Sequence, residues 1–249
     1  MHPIDISEES GVRYLHFGSD WVQGAMRIRK PDALELSYTR EMMAGLLLRP
    51  PPWPRRVLLI GLGAGSIAKF IHRHLPDACT TVIEILPEVH AVARQCFKLP
   101  DEDARLRVVI GDGAAFVAED RNQWDLIVVD GFDANARAGA LAALPFYAAC
   151  RARLSQTGVV AVNLFGQLRG FKTQLQRLQK AFDGRVLALP EVESGNVVAL
   201  AVAGDPVAVG QAALRERAAE LKAATGLDLA PTLRRLEKNG GLPAGLLQR

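Results

Sequence analysis

The groups in this chain best suited to chemistry are four carboxylates and a glycine cluster, most of them placed where an apolar run stops. Arg56-Val57-Leu58-Leu59-Ile60 runs into Gly61-Leu62-Gly63-Ala64-Gly65, and Thr81-Val82-Ile83 runs into Glu84, 23 residues after Gly61. Leu106 to Ile110 stops at Gly111-Asp112-Gly113, and Leu126-Ile127-Val128-Val129 stops at Asp130, with Asp133 three residues on. Continuous apolar runs suit parallel strands covered on both faces. Ligands of doubly wound folds bind beyond the carboxyl ends of such strands, and an acidic residue ending the second one can take both hydroxyls of a ribose. Gly61, Gly63, Gly65 and Glu84 therefore predict a nucleoside-binding βαβ unit, whose glycines let main-chain N–H groups approach the ligand.

Gly61-x-Gly63-x-Gly65 lacks the later third glycine of the dinucleotide fingerprint. No pyrophosphate is demanded, and a nucleoside without phosphates, S-adenosylmethionine or a relative, suits the pattern better. Asp112, followed by Gly113, precedes a helix. It is expected to cap that helix, to accept from an adenine amino group, or both. Asp130 and Asp133 make the sharper pair. Beside a sulfonium nucleoside they would hold a cationic amine and help it lose a proton before attack. An alkylamine of pKa ~10.4 is almost wholly protonated at pH 7, and a carboxylate acting as general base removes that obstacle. The bland alternative is a strand-end aspartate followed by a turn.

The elements that must position these groups alternate along the chain. Strands are predicted near 56–60, 80–84, 106–110, 125–130 and 158–164, with later ones near 185–189 and 196–203. Helices are predicted near 65–75, 87–96, 113–119, 139–153 and 169–182. This is the α/β order of a Rossmann-like, class I methyltransferase-type doubly wound sheet. Val12 to Phe17 alternates, and Val22 to Ile28 is expected to pair back on it as a small N-terminal β-region. Leu36 to Leu48 has helical spacing and is stopped by the proline-rich Arg49 to Pro54. Residues 206–247 read as one or two amphipathic helices. The predicted organisation is an N-terminal β-region and first helix over 1–50, a nucleoside-binding domain over 51–204 and a helical extension over 205–249.

Composition narrows the classes. Of 249 residues 49% are apolar, enough for a sizeable core, and a net charge of +3 with interspersed signs gives no nucleic-acid footprint. No apolar stretch approaches the ~20 residues that span a membrane, and polar, acidic Met1 to Glu8 is unlike a secretory signal. The scattered Cys79, Cys96 and Cys150 are expected to be reduced, mostly buried thiols of a cytoplasmic protein. The five histidines form no metal pattern, so no metal is expected.

Over roughly residues 10–203 the marks resemble the spermidine synthase (polyamine aminopropyltransferase) family. They are Gln23, Tyr38-Thr39-Arg40-Glu41-Met42, Gly61-Leu62-Gly63-Ala64-Gly65, Glu84, Gly111-Asp112-Gly113, Val129-Asp130-Gly131-Phe132-Asp133 and Phe146-Tyr147. The resemblance implies a Rossmann-like domain behind an N-terminal β-domain, commonly in a homodimer. It implies transfer of an aminopropyl group from decarboxylated S-adenosylmethionine to an amine such as putrescine, with methylthioadenosine released and no permanently bound cofactor. Carried over, Glu84 binds the ribose, Asp112 the adenine, and Gln23 lies near the nucleoside. Asp130 is the catalytic base, Asp133 helps hold the amine, and Tyr38 stands at the substrate. The chain departs from the pattern where the family's glycine loop carries an aspartate, here Ala64, and where aromatics precede the last strand, here Pro190 to Val197. Two rival readings follow: a methyltransferase using S-adenosylmethionine, and a non-catalytic nucleoside-binding relative. Leu141, Ala142, Leu144, Phe146 and Tyr147 are expected to fill core rather than line the acceptor site.

Overall fold

β1 (Ile4–Glu9), β2 (Val12–Phe17) and β3 (Val22–Arg27) form an antiparallel sheet in that order in the computed structural model. The structure describes residues 4–18, 21–131, 138–167, 170–205, 207 and 209–239. β2 and β3 pair as the alternation of Val12 to Phe17 predicts. β1 is largely exposed, which is why its mixed Ile-Asp-Ile-Ser-Glu-Glu run carries little pattern. Leu15 and Met26 pack on Ala64 and Phe97, fastening this sheet to the glycine loop.

Seven further strands make the main sheet: β4 (Arg56–Ile60), β5 (Cys79–Glu84), β6 (Leu106–Ile110), β7 (Trp124–Val129), β8 (Leu154–Phe165), β9 (Val186–Ala188) and β10 (Asn196–Val202). Their order is β6-β5-β4-β7-β8-β10-β9, parallel through β8, with β10 antiparallel to both neighbours. Successive side chains point to opposite faces. Val57 and Leu59 thus enter one core with Val128, Val159 and Leu200, while Leu58 and Ile60 enter the other with Ile127, Val129 and Val160. Burial on both sides explains the unbroken apolar runs.

The helices are α1 (Ser37–Met42), α2 (Ser66–His74), α3 (Pro87–Cys96), α4 (Gly113–Glu119), α5 (Leu144–Arg153), α6 (Phe171–Ala181), α7 (Gln211–Thr225) and α8 (Ala230–Lys238). Two expected helices are shorter. The segment 36–48 is α1 followed by a tighter 3-10 turn over Met43–Leu47, containing Gly45, a poor helix former. The segment 139–153 is a 3-10 turn, Gly139–Ala142, and then α5, because Pro145 lacks the N–H of a helix interior and is tolerated in a first turn. Leu34, Tyr38, Met42 and Leu47 share one core with Leu214 of α7 and Leu233 of α8.

Among the described residues no helix is long and apolar enough to cross a membrane. Only Cys150 is buried; Cys96 is half-buried, and Cys79, the first residue of β5, is exposed. The expectation of mostly buried thiols is corrected accordingly. His72 and His74 go separate ways, to Asp103 and Asp32.

Candidate active site

The register of the parallel strands brings the carboxylates together. β4 and β5 end their pairing at Ile60 opposite Ile83, and β4 and β7 at Ile60 opposite Val129. Gly61, Glu84 and Asp130 therefore follow on three adjacent strands. The chain runs outward from β4 to β6 and then returns to lay β7 on the other side of β4, which makes this a topological switch point. Gly61 sits at φ 96°, and a Cβ there would collide with the Asp130 carbonyl oxygen. Only glycine allows this approach.

Beyond these strand ends opens a cavity of about 1160 Å³, walled by the glycine loop, Glu84, Asp130 and Tyr38, with Gln23 and Asp112 also on its lining. Glu84 is 6% exposed and is gripped by main chain: the Leu62 N–H donates to Oε2 and the Leu86 N–H to Oε1, each at 2.9 Å. Burial pushes its pKa up, and N–H groups of Leu86, Leu62, Ile85 and Gly63 oppose that rise. Asp112 is exposed and caps α4, its Oδ1 accepting from the Ala115 N–H at 2.8 Å, as the capping expectation has it. Gly113 opens α4 against Ile60.

Gln23 approaches Gly63 through its own carbonyl, 3.0 Å from where a Cβ on Gly63 would sit. Ala64 faces the N-terminal sheet so closely that a Cβ on Gly24 would come within 2.6 Å of its methyl. Gly65, left-handed at φ 67°, is the N-cap that precedes α2 and is not on the cavity lining. Among the described residues Leu141 lines the cavity, while Ala142, Phe146 and Tyr147 are buried.

Asp130 is held by side chains. Asn163 Nδ2 donates to its Oδ1 at 2.8 Å, and the Tyr38 hydroxyl faces the same carboxylate. Burial raises the Asp130 pKa above its ordinary value, with Asn163 and then Tyr38 pulling it back down. The Tyr38 hydroxyl is pushed well above its ordinary pKa, by burial first and by the Asp130 charge second, and so stays protonated. Behind Asn163, Asn196 Nδ2 donates to Asn163 Oδ1 at 2.9 Å, and Ser194 Oγ donates to Asn196 Oδ1 at 2.5 Å. Trp21 meets Phe165 edge-on at 5.7 Å on the same side of the cavity. Asp133 lies in 132–137, outside the described residues. Among the described residues no cluster of three or more His, Cys, Asp or Glu could hold a metal.

Sequence reasoning assigned no role to Asn163, Ser194, Asn196, Trp21 or Phe165. A signal was present: Asn163 and Asn196 are the polar residues of otherwise apolar strand segments, Val159 to Phe165 and Asn196 to Val202. Their mutual contact depends on the β8–β10 pairing, which sets Asn163 opposite Val198 and Asn196 opposite Phe165.

The family model of the spermine/spermidine synthase domain matches residues 35–197. A polyamine aminopropyltransferase of Chromobacterium violaceum is 39% identical over 247 residues, covering 99% of this chain and 94% of that one. Among solved structures, a probable spermidine synthase from Corynebacterium glutamicum superposes with a TM-score of 0.72 at 18% identity, over 90% of this chain and 91% of its own. Human methyltransferase-like protein 13, in complex with SAH, superposes with a TM-score of 0.67 at 26% identity, over 77% of this chain and 93% of its own.

Proposed function

The chain belongs to the spermine/spermidine synthase family, and on that footing we propose that it is a polyamine aminopropyltransferase. It moves an aminopropyl group from decarboxylated S-adenosylmethionine to an amine, with putrescine as the acceptor. The observation that carries this reading is Asp130: a half-buried carboxylate at the switch point, in one cavity with Glu84 and the glycine loop, and held by Asn163 with Tyr38 beside it.

In this reading the adenosine lies across the ends of β4, β5 and β6. Glu84, fixed by main-chain N–H groups, takes the ribose hydroxyls. Asp112 accepts from the adenine amino group with its exposed carboxylate edge, and Gln23, Gly61, Gly63 and Gly113 close the wall around the nucleoside. The acceptor enters as an ammonium ion and pairs with Asp130, with Asp133 at its other end and Tyr38 beside it. Asp130 takes the proton, and the freed nitrogen lone pair attacks the aminopropyl carbon bound to sulfur. The C–N bond forms as the C–S bond breaks, its electron pair returning to sulfur as neutral methylthioadenosine. Burial favours this step, because a carboxylate whose pKa is raised is a stronger base and lies closer to the amine.

The same reading places the protein in the cytoplasm, where its unpaired thiols stay reduced, and in a homodimer, which light scattering tests directly. Methyl transfer from S-adenosylmethionine is the second reading. Ala64, which lacks the carboxylate that would face the methionine carboxylate, and the likeness to human methyltransferase-like protein 13 favour it.

The decisive experiment incubates the protein with putrescine and either donor and separates the nucleoside products. Methylthioadenosine and spermidine from the decarboxylated donor are expected. S-adenosylhomocysteine from S-adenosylmethionine would move the protein to the methyltransferases. Binding of a nucleoside without turnover of either donor would leave the non-catalytic reading.

A further inference from the structure

Buried amides are rare in sheet cores unless every donor and acceptor is matched. Asn163 and Asn196 are each 3% exposed, and both lie on the cavity wall. Their hydrogen bonds run in series from Ser194 through Asn196 and Asn163 to Asp130, at 2.5, 2.9 and 2.8 Å. The direction of the series has a single origin. An ionised carboxylate only accepts, and an amide has one accepting end and one donating end. Asn163 must therefore turn its NH2 to Asp130 and its oxygen to Asn196. Asn196 then spends its NH2 on Asn163 and offers its oxygen to the Ser194 hydroxyl.

We propose that Asn163 and Asn196 are positioning residues for the reaction: with Ser194 they form a one-way hydrogen-bond relay that holds Asp130 in a single orientation and as the anion. The proposal rests on Asp130 being the proton acceptor. Charge-assisted donors favour the ionised form, so the relay counters the burial that raises the pKa of this carboxylate. Amide dipoles aligned head to tail also strengthen one another in a low-dielectric interior. Register supplies the geometry. β7 and β8 end their pairing at Val129 opposite Val162, which sets Asp130 beside Asn163, and the antiparallel β10 brings Asn196 diagonally behind it.

Among the described residues, the groups that face Asp130 are Tyr38 from α1, Asn163 from β8 with Asn196 of β10 behind it, and the main chain of Gly61 from the end of β4. Of these only Tyr38 titrates, and burial keeps it protonated. Glu84, on the same cavity, is committed to main-chain N–H groups.

The test follows the Asp130 carboxyl directly, by carbon NMR of protein labelled at the aspartate side-chain carboxyl and assigned by loss of the signal in Asp130→Asn. Asn163→Leu is expected to move its titration upward by about one pH unit or more. Asn196→Ala, which adds no charge and leaves Asn163 free to turn, is expected to move it in the same direction by less, and Ser194→Ala by least. The acid limb of kcat/KM should shift in the same order. A titration unmoved in Asn163→Leu and Asn196→Ala, with kcat lowered by one factor at every pH, would overturn the proposal and leave the amides a structural role. A shift in Asn163→Leu alone would overturn the relay beyond Asn163. Thermal melts check folding, and should Asn163→Leu not fold, Asn196→Ala and Ser194→Ala still decide. The NMR titration needs no donor or acceptor, so failure of aminopropyl transfer in the wild-type protein would be recognised separately.

Discussion

Glu84 and Asp130 are carboxylates at the ends of strands flanking β4, the first buried and the second half-buried, and desolvation raises the pKa of each. They are held in opposite ways. Glu84 is clamped by main-chain N–H groups of the glycine loop and of its own turn, none more than 22 residues away in sequence. Asp130 is held by side chains from α1 and β8, and the relay behind it reaches β10. Main chain offers donors whatever residue supplies them, so the nucleoside end of the cavity tolerates substitution around it. The acceptor end depends on particular side chains, and its chemistry can be retuned by single replacements.

The contrast can be broken experimentally. The largest effect is expected from Asp130→Asn, which keeps the shape of the group and removes the base. It should lower kcat by ~10²–10⁴-fold while calorimetric affinity for the decarboxylated donor stays unchanged. The next concerns stability, measured by urea unfolding at pH 7. Glu84→Gln turns an NH2 toward an N–H donor that carboxylate oxygen now accepts, and leaving such a donor orphaned costs about 1–3 kcal/mol.

Asp130→Asn should not destabilise, since its oxygen still accepts from Asn163 and its NH2 can meet the Tyr38 hydroxyl. The sign is fixed by linkage. A carboxyl whose folded-state pKa lies above its unfolded value disfavours folding wherever it is ionised, and the penalty fades as pH falls through the folded pKa. Asp130→Asn should therefore be at least as stable as wild type at pH 7, with its advantage shrinking in acid.

Asp112→Ala removes the cap of α4 and should lower stability by about 1 kcal/mol, with weaker donor binding. The smallest effect sharpens the comparison from the acceptor end. Tyr38→Phe removes one donor to the Asp130 anion and should move the acid limb of kcat/KM upward by roughly half a pH unit, with the donor dissociation constant unchanged.

Much of the sheet was legible from the chain. Val57 to Ile60, Val82 to Ile83 and Leu126 to Val129 are apolar because both faces of β4, β5 and β7 are covered. Capping by Asp112 and the start of α3 at Pro87 are local chemistry and are found where expected. The first helix was harder to read: Met42, Met43, Leu46 and Leu47 keep helical spacing, yet the backbone tightens after Met42. The strand Leu154–Phe165 begins earlier than its apolar run, since Ser155, Gln156 and Thr157 extend it beyond the buried interior.

By itself the sequence determined what sits at each strand end, because a run of branched apolar residues closed by a glycine or a carboxylate leaves a parallel strand few alternatives. Glu84, Asp112 and Asp130 were in that sense visible at once. Tertiary structure alone decided which groups would hold Asp130. Tyr38, Asn163, Asn196 and Ser194 are spread over more than 150 residues, and only strand register and the docking of α1 bring them within hydrogen-bond reach. A hydrogen bond is decided within a few tenths of an ångström, and sequence spacing carries no such information across separate elements.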